Sequence, residues 1–154
     1  MNLDYKKMKV LLYDLDTGGI KKYSEYLIDA MKKMNFGITL SDKIDYNNFE
    51  VVHIQFEHTI FHPFGLKLIP VLIRLKLNGK KIIVTTHTVL SKKEIYARNS
   101  LFRLIKKIVL PLDEILMGIL YDKVIVHTEY SRNILIKEYH VSSQKIGVVP
   151  YGVY

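Results

Sequence analysis

Two kinds of chemistry compete in the stretch Lys9-Val10-Leu11-Leu12-Tyr13-Asp14-Leu15-Asp16-Thr17-Gly18-Gly19. Asp14 and Asp16, alternating at the end of an apolar run, are spaced like the nucleophile and acid of an aspartate-dependent phosphatase. Gly18 and Gly19 suggest something else, because two residues without side chains let a phosphate or sugar approach backbone N–H groups and a positive helix end. The phosphatase also needs a Ser or Thr at a second strand end, a lysine, and a later acidic pair to hold magnesium against the phosphate charge. Thr85 or Thr128 could be the hydroxyl, but the acidic pair is missing: Asp113-Glu114 falls inside a helical pattern. A receiver domain would want an aspartate where Gln55-Phe56-Glu57 stands. A dinucleotide site would want G-x-G-x-x-G, and only two adjacent glycines are present. The glycines also suit an ordinary tight turn, and by themselves they do not separate a ligand cradle from punctuation.

The histidines divide by position. His53 lies inside an apolar run and reads as a packed core residue, whereas His87 and His127 close such runs, where polar groups meet ligands. His58 and His62 have helical spacing, but Pro63 follows at once, so no metal site is expected there.

To gather these residues, the chain must build a sheet. Short Val- and Ile-rich runs recur at Met8–Tyr13, Val51–Phe56, Lys81–Thr85, Lys123–His127 and Lys145–Val149, with a further short one near Gly37–Leu40. Most are too continuously apolar for a one-sided sheet and read as buried parallel strands. Between them, Ile20–Asn35 carries an apolar stripe of Tyr23, Leu27, Ala30, Met31 and Met34 at helical period. Gly65–Asn78 reads as a more apolar helix stopped by Asn78-Gly79, Asn99–Tyr121 as a long helix kinked at Pro111, and Tyr130–His140 as the last one. Strands alternating with helices predict an α/β fold: a Rossmann-like, doubly wound parallel sheet in three layers, forming a single domain. Ligands bind such sheets at the carboxyl ends of the strands. The candidates there are Asp14, Asp16, Gly18 and Gly19, then Glu57 and His58, then Thr86, His87 and Thr88, then His127, Thr128 and Glu129.

Composition agrees with a single core. A chain of 154 residues with 49% hydrophobic content buries roughly two-thirds of its unfolded surface, enough for one domain. It has no cysteine, so disulfides, thiolate nucleophiles and cysteine zinc sites are excluded. The N-terminal MNLDYKKMK has no apolar signal core, and the most apolar stretch, Ile108–Leu120, is too short and too interrupted to span a bilayer. A cytoplasmic protein, at most peripheral to the membrane, is expected. The net charge of +8 implies an anionic partner. The lysines fall in scattered pairs without interleaved aromatics, which argues against nucleic acid.

Taken in order, five pieces resemble the N-terminal domain of a glycosyltransferase family 4 enzyme. They are Gly18-Gly19 opening the first helix, Val51-Val52-His53-Ile54-Gln55-Phe56-Glu57, Val84-Thr85-Thr86-His87, Lys123-Val124-Ile125-Val126-His127-Thr128-Glu129-Tyr130-Ser131, and Lys145-Ile146-Gly147-Val148-Val149-Pro150-Tyr151-Gly152-Val153. The resemblance covers essentially the whole chain. It implies the acceptor-side half of a GT-B architecture, which transfers a hexosyl unit from a nucleotide-sugar donor, with retention, to a glycan or lipid-linked acceptor.

On that resemblance Gly18 and Gly19 lie near the diphosphate and acceptor, and His87 is the catalytic-side residue reaching toward the donor sugar's hydroxyls. Glu57 and His58 line the acceptor side, and Thr86, Thr128, Ser131 and Gly152 are further substrate- or diphosphate-binding positions. No cofactor and no obligatory metal are implied, because fixed positive charge stabilises the departing diphosphate. In the family that charge, and a Glu-x7-Glu motif gripping the donor, come from a C-terminal domain. No Glu-x7-Glu occurs in this sequence, and Tyr151 and Tyr154 replace the usual residues of the interdomain hinge. The expectation is therefore a half-enzyme, inactive until a donor-binding domain joins it in cis or as a separate chain. Arg103, Lys106 and Lys107 become candidates for contact with an anionic membrane surface, or a solvated helix rim. The alternative from another class is a stand-alone Rossmann-like module that binds a nucleotide or anion without catalysis.

Overall fold

A computed structural model describes residues 8–15, 18–58, 60–61, 67–94, 107–108, 111, 115–116 and 118–151. Its centre is a six-stranded sheet in the order β2-β1-β3-β4-β5-β6. The strands are β1 (Lys9–Tyr13), β2 (Gly37–Ser41), β3 (Val51–Phe56), β4 (Lys81–Thr86), β5 (Lys123–Val126) and β6 (Ile146–Val148). Every pairing is parallel. The helices described from end to end are α1 (Gly19–Lys33), α2 (Leu68–Leu77) and α3 (Glu129–Lys137). Between β4 and β5, residues 107–108, 111, 115–116 and 118–120 are helical.

Alternation along each strand sorts side chains onto two faces. On one face Val10 and Leu12 of β1, Ile38 of β2 and Val51 of β3 pack with Ile28 of α1. On the other, Leu11, Tyr13, Val52, Ile54, Phe56, Ile82, Val84, Val124 and Val126 pack with Leu68, Leu72 and Leu75 of α2 and with Ile134 and Leu135 of α3. Ile115 and Leu120 join this second cluster. Helices therefore cover both faces, giving the three layers expected. All of β3 is buried, which is why its run is continuously apolar except where His53 and Gln55 turn toward the α1 face.

Several element boundaries differ from the sequence pattern for local reasons. Helix α1 starts at Gly19 because Gly18 takes the cap position. Asn78-Gly79 does stop α2: Gly79 has φ +68°, its N–H donates to Lys76 O at 2.9 Å, and Lys80 N–H donates to Leu75 O at 3.0 Å. That pair of bonds satisfies the last carbonyls of the helix. Asn35 closes α1 in the same way, with φ 62° and the Phe36 N–H donating to Met31 O at 3.0 Å. The last helix ends at Lys137, before the expected His140, because His140 itself adopts φ 57°. The start of β6 retreats to Ile146 because Ser143–Lys145 form a 3-10 turn. Most of the expected long helix Asn99–Tyr121, and the part of the second helix before Lys67, lie outside the described residues.

Candidate functional site

The chain runs from β1 outward to β2 on one side and to β3 and beyond on the other. Crossovers that diverge in this way leave a crevice at the carboxyl ends of β1 and β3, where doubly wound sheets bind ligands. Backbone bonds past the strands fix its rim: Asp14 N–H to Ser41 O at 3.1 Å, His87 N–H to Phe56 O at 3.1 Å, and Val149 N–H to Val126 O at 2.8 Å.

Gly18 and Gly19 stand at this rim, both exposed. Gly18, at the cap position, has φ −110° and as a glycine brings no capping side chain of its own, and the first turn of α1 holds no acidic residue. A Cβ added at Gly19 would meet nothing within 4 Å. Gly19 therefore serves neither tight internal packing nor a left-handed backbone, and the space before it is open to a ligand approaching the positive end of α1.

One turn into α1, Tyr23 reaches across to the ends of β4 and β5. Its ring lies edge-on to His87 and to His127, each at 5.5 Å between centroids, and to Tyr151 at 6.1 Å. Tyr151 stacks on His127 at 3.7 Å, and the His87 and His127 rings are 5.2 Å apart. His87 Nδ1 lies 2.8 Å from the Tyr151 hydroxyl, and its Nε2 lies 2.8 Å from Gln55 Oε1. His127 Nδ1–H donates to the Val149 carbonyl at 2.8 Å. Its Nε2 and the amide Nε2 of Gln55 are buried with no hydrogen-bond partner among the described residues. Below them His53 Nε2 meets the Thr85 hydroxyl at 2.8 Å.

Burial sets the electrostatics of this cluster. It pushes the His53 imidazole down to about 4, with the neighbouring His87 adding to the effect, and lowers His127 against the Val149 bond. The Tyr151 phenol is raised, first by burial, then by Tyr23 and Glu57. Burial thus favours the neutral forms of His53, His127 and Tyr151, which suits them to hydroxyls and ring faces.

Glu57 is half-buried at the end of β3, close enough for its charge to act on Tyr151. His58 is buried, its ring edge-on to Phe56 at 5.0 Å, on the side of the larger core. Thr86 is buried and donates to Thr88 O at 3.0 Å. The Thr128 hydroxyl caps α3, accepting from Ser131 N–H at 3.0 Å and donating to the Ser131 hydroxyl at 2.9 Å. Asp14 is buried and accepts the Ser24 hydroxyl at 2.6 Å, which fastens the end of β1 to α1. Lys107 is exposed and helical; Arg103, Lys106, Gly152 and Asp16 lie outside the described residues. Among the described residues no group of three His, Asp or Glu side chains is placed to hold a metal, and no helix is long and apolar enough to cross a membrane.

Sequence reasoning misses Gln55, Tyr23 and Ser24, and names His127 among the strand-end candidates without giving it a role. A signal for Gln55 exists: it stands two residues after His53 in a run otherwise apolar, so both share a face, and a polar side chain buried mid-sheet must have a partner. Tyr23 belongs by period to the apolar stripe of α1, and its ring edges serve packing and site alike.

With the geometry in place, comparison with known proteins adds one match. The sequence profile described as Glycosyltransferase Family 4 matches residues 20–154. No curated protein and no solved structure matches the chain.

Proposed function

The chain belongs to glycosyltransferase family 4, and from that premise we propose that it is the acceptor-side domain of a retaining, nucleotide-sugar-dependent hexosyltransferase. Its acceptor is a glycan or a lipid-linked sugar, and a partner domain carrying the donor-gripping acidic residues completes catalysis. The observation that carries this reading is Tyr23: one turn after Gly19, it joins α1 to His87 and His127. The open glycine rim and the imidazole cluster therefore belong to one site.

The two ends of the site divide the work by their chemistry. The N-terminus of α1, where Gly18 and Gly19 are exposed, turns its positive dipole end toward the diphosphate or an anionic acceptor. The cluster at the ends of β4 and β5 offers rings and hydrogen-bonding nitrogens to sugar hydroxyls. Glu57, at the carboxyl end of β3, faces the crevice between them and orients the acceptor. The charge that stabilises the leaving diphosphate comes from the partner domain.

The test is turnover by the complete enzyme over a panel of nucleotide sugars. His87→Ala should lower kcat/KM roughly ten- to hundredfold, the range for losing a buried hydrogen bond to substrate. Gly19→Leu, which fills the open space before α1, should lower it as well. Unchanged turnover in both variants would remove the site assignment. Binding of a nucleotide sugar without transfer would favour the stand-alone binding module.

A further inference from the structure

His87 has a neighbour at each ring nitrogen, and the two differ in what they can do. The carboxamide oxygen of Gln55, 2.8 Å from Nε2, can only accept a hydrogen bond, so Nε2 carries a proton. In the neutral imidazole Nδ1 keeps a lone pair, and the Tyr151 hydroxyl, 2.8 Å away, is placed to donate to it. His127 has the opposite arrangement. The Val149 carbonyl, 2.8 Å from its Nδ1, fixes that proton, and its buried Nε2 is left as an acceptor without a partner among the described residues.

Both neighbours of His87 are themselves held. Gln55 is fully buried in β3, opposite Thr85 in the strand register. Tyr151 is stacked on His127 with the rings 24° from parallel, and Tyr23 stands edge-on against it.

We propose that Gln55 and Tyr151 are positioning residues that hold His87 as the neutral tautomer protonated at Nε2. The atom His87 can offer a ligand, Nδ1, is then an acceptor, with the Tyr151 hydroxyl standing where a ligand hydroxyl would. The two adjacent imidazoles thus hold opposite tautomers, and of their acceptor nitrogens His127 Nε2 is buried while His87 Nδ1 faces the Tyr151 hydroxyl. The ligand chemistry that His87 Nδ1 fits is a hydroxyl that donates its hydrogen, as on a sugar ring, and not a phosphate oxygen, which would meet a lone pair. The ligand assignment rests on the transferase reading of this site. The location of the proton on His87 does not.

The experiment is nitrogen-15 NMR of the labelled chain at neutral pH, reading ring nitrogens through their couplings to the carbon-bound ring hydrogens. In the unsubstituted chain His87 should show a protonated Nε2 and a hydrogen-bonded, unprotonated Nδ1, and His127 the reverse protonation. Tyr151→Phe keeps the stacked ring and removes the hydroxyl. It should shift the His87 Nδ1 signal toward that of a nitrogen without a hydrogen bond while Nε2 stays protonated. Gln55→Leu should lose the single tautomer and give a mixture. A proton on His87 Nδ1 in the unsubstituted chain, or an unmoved Nδ1 signal in Tyr151→Phe, would overturn the proposal. Should Gln55→Leu fail to fold, Tyr151→Phe at a half-exposed position still decides it. These readouts need no turnover, so a failed tautomer assignment and a failed transferase reading are separable.

Discussion

His53 has exchanged water for a single hydroxyl, that of Thr85, and burial holds its pKa at about 4 against an ordinary 6.5. Between those values the unfolded chain binds a proton that the folded chain refuses, so folded-state stability rises with pH across the window. The contribution is complete above pH 6.5 and is lost as pH falls toward about 4, a change of about 3 kcal/mol by linkage. His127, also lowered by burial, acts in the same direction. Urea midpoints measured across this window should fall as the solution is acidified, and His53→Gln should flatten the fall. Equal slopes in the two proteins would show that His53 is not the group responsible. The core role of His53 was legible in the sequence from its place inside an apolar run. The Gln55–His87–Tyr151 connection was not, because it joins β3, the end of β4 and the end of β6, and only the strand order brings those three together.

At the scale of elements, two glycines at helix ends do opposite things. Gly79 holds φ +68°, a conformation that costs an L side chain about 1 kcal/mol or more, so Gly79→Ala should lower the melting temperature by that equivalent. Gly19 sits at the start of α1, where a methyl group in place of its hydrogen would meet no other atom within 4 Å. Gly19→Ala should raise stability by roughly 0.5–1 kcal/mol through helix propensity, yet lower turnover of the complete enzyme. Thermal melts beside activity assays check both. A Gly19→Ala enzyme that is stabilised and fully active would reduce Gly18-Gly19 to a turn. The ends of α1 and the stop of α2 were legible to within a few residues, because periodicity and Asn78-Gly79 are local signals. The left-handed turn at His140 has only a weak signal, since histidine adopts that backbone more readily than most residues but far less than glycine, and so periodicity alone overextends the last helix. Thr128 and Ser131 carry a lesson of the same kind: their hydroxyls are joined in the cap of α3, and any contact they make with a ligand must coexist with that duty.

For the whole molecule, the net charge of +8 is the property with the longest reach. Lys107 is exposed beside Ile108, itself 61% exposed, a basic and apolar pairing suited to an anionic bilayer surface. The chain should bind vesicles containing anionic phospholipid at low ionic strength and be released as salt screens the attraction. Lys107→Glu should weaken the binding, and absence of binding at low salt would leave the lysines as a solvated surface. The fold class itself was legible because strands buried on both faces are apolar throughout, while the strand order could not be read from local pattern. That order, β2-β1-β3-β4-β5-β6, has a consequence for biosynthesis. Once β1 and β2 have paired, β3 joins the free side of β1, and each later strand is added beside the one made before it. A chain emerging from the ribosome therefore never has to prise apart a finished pairing to admit a new strand, and the crevice between β1 and β3 can be assembled while β4 to β6 are still being translated.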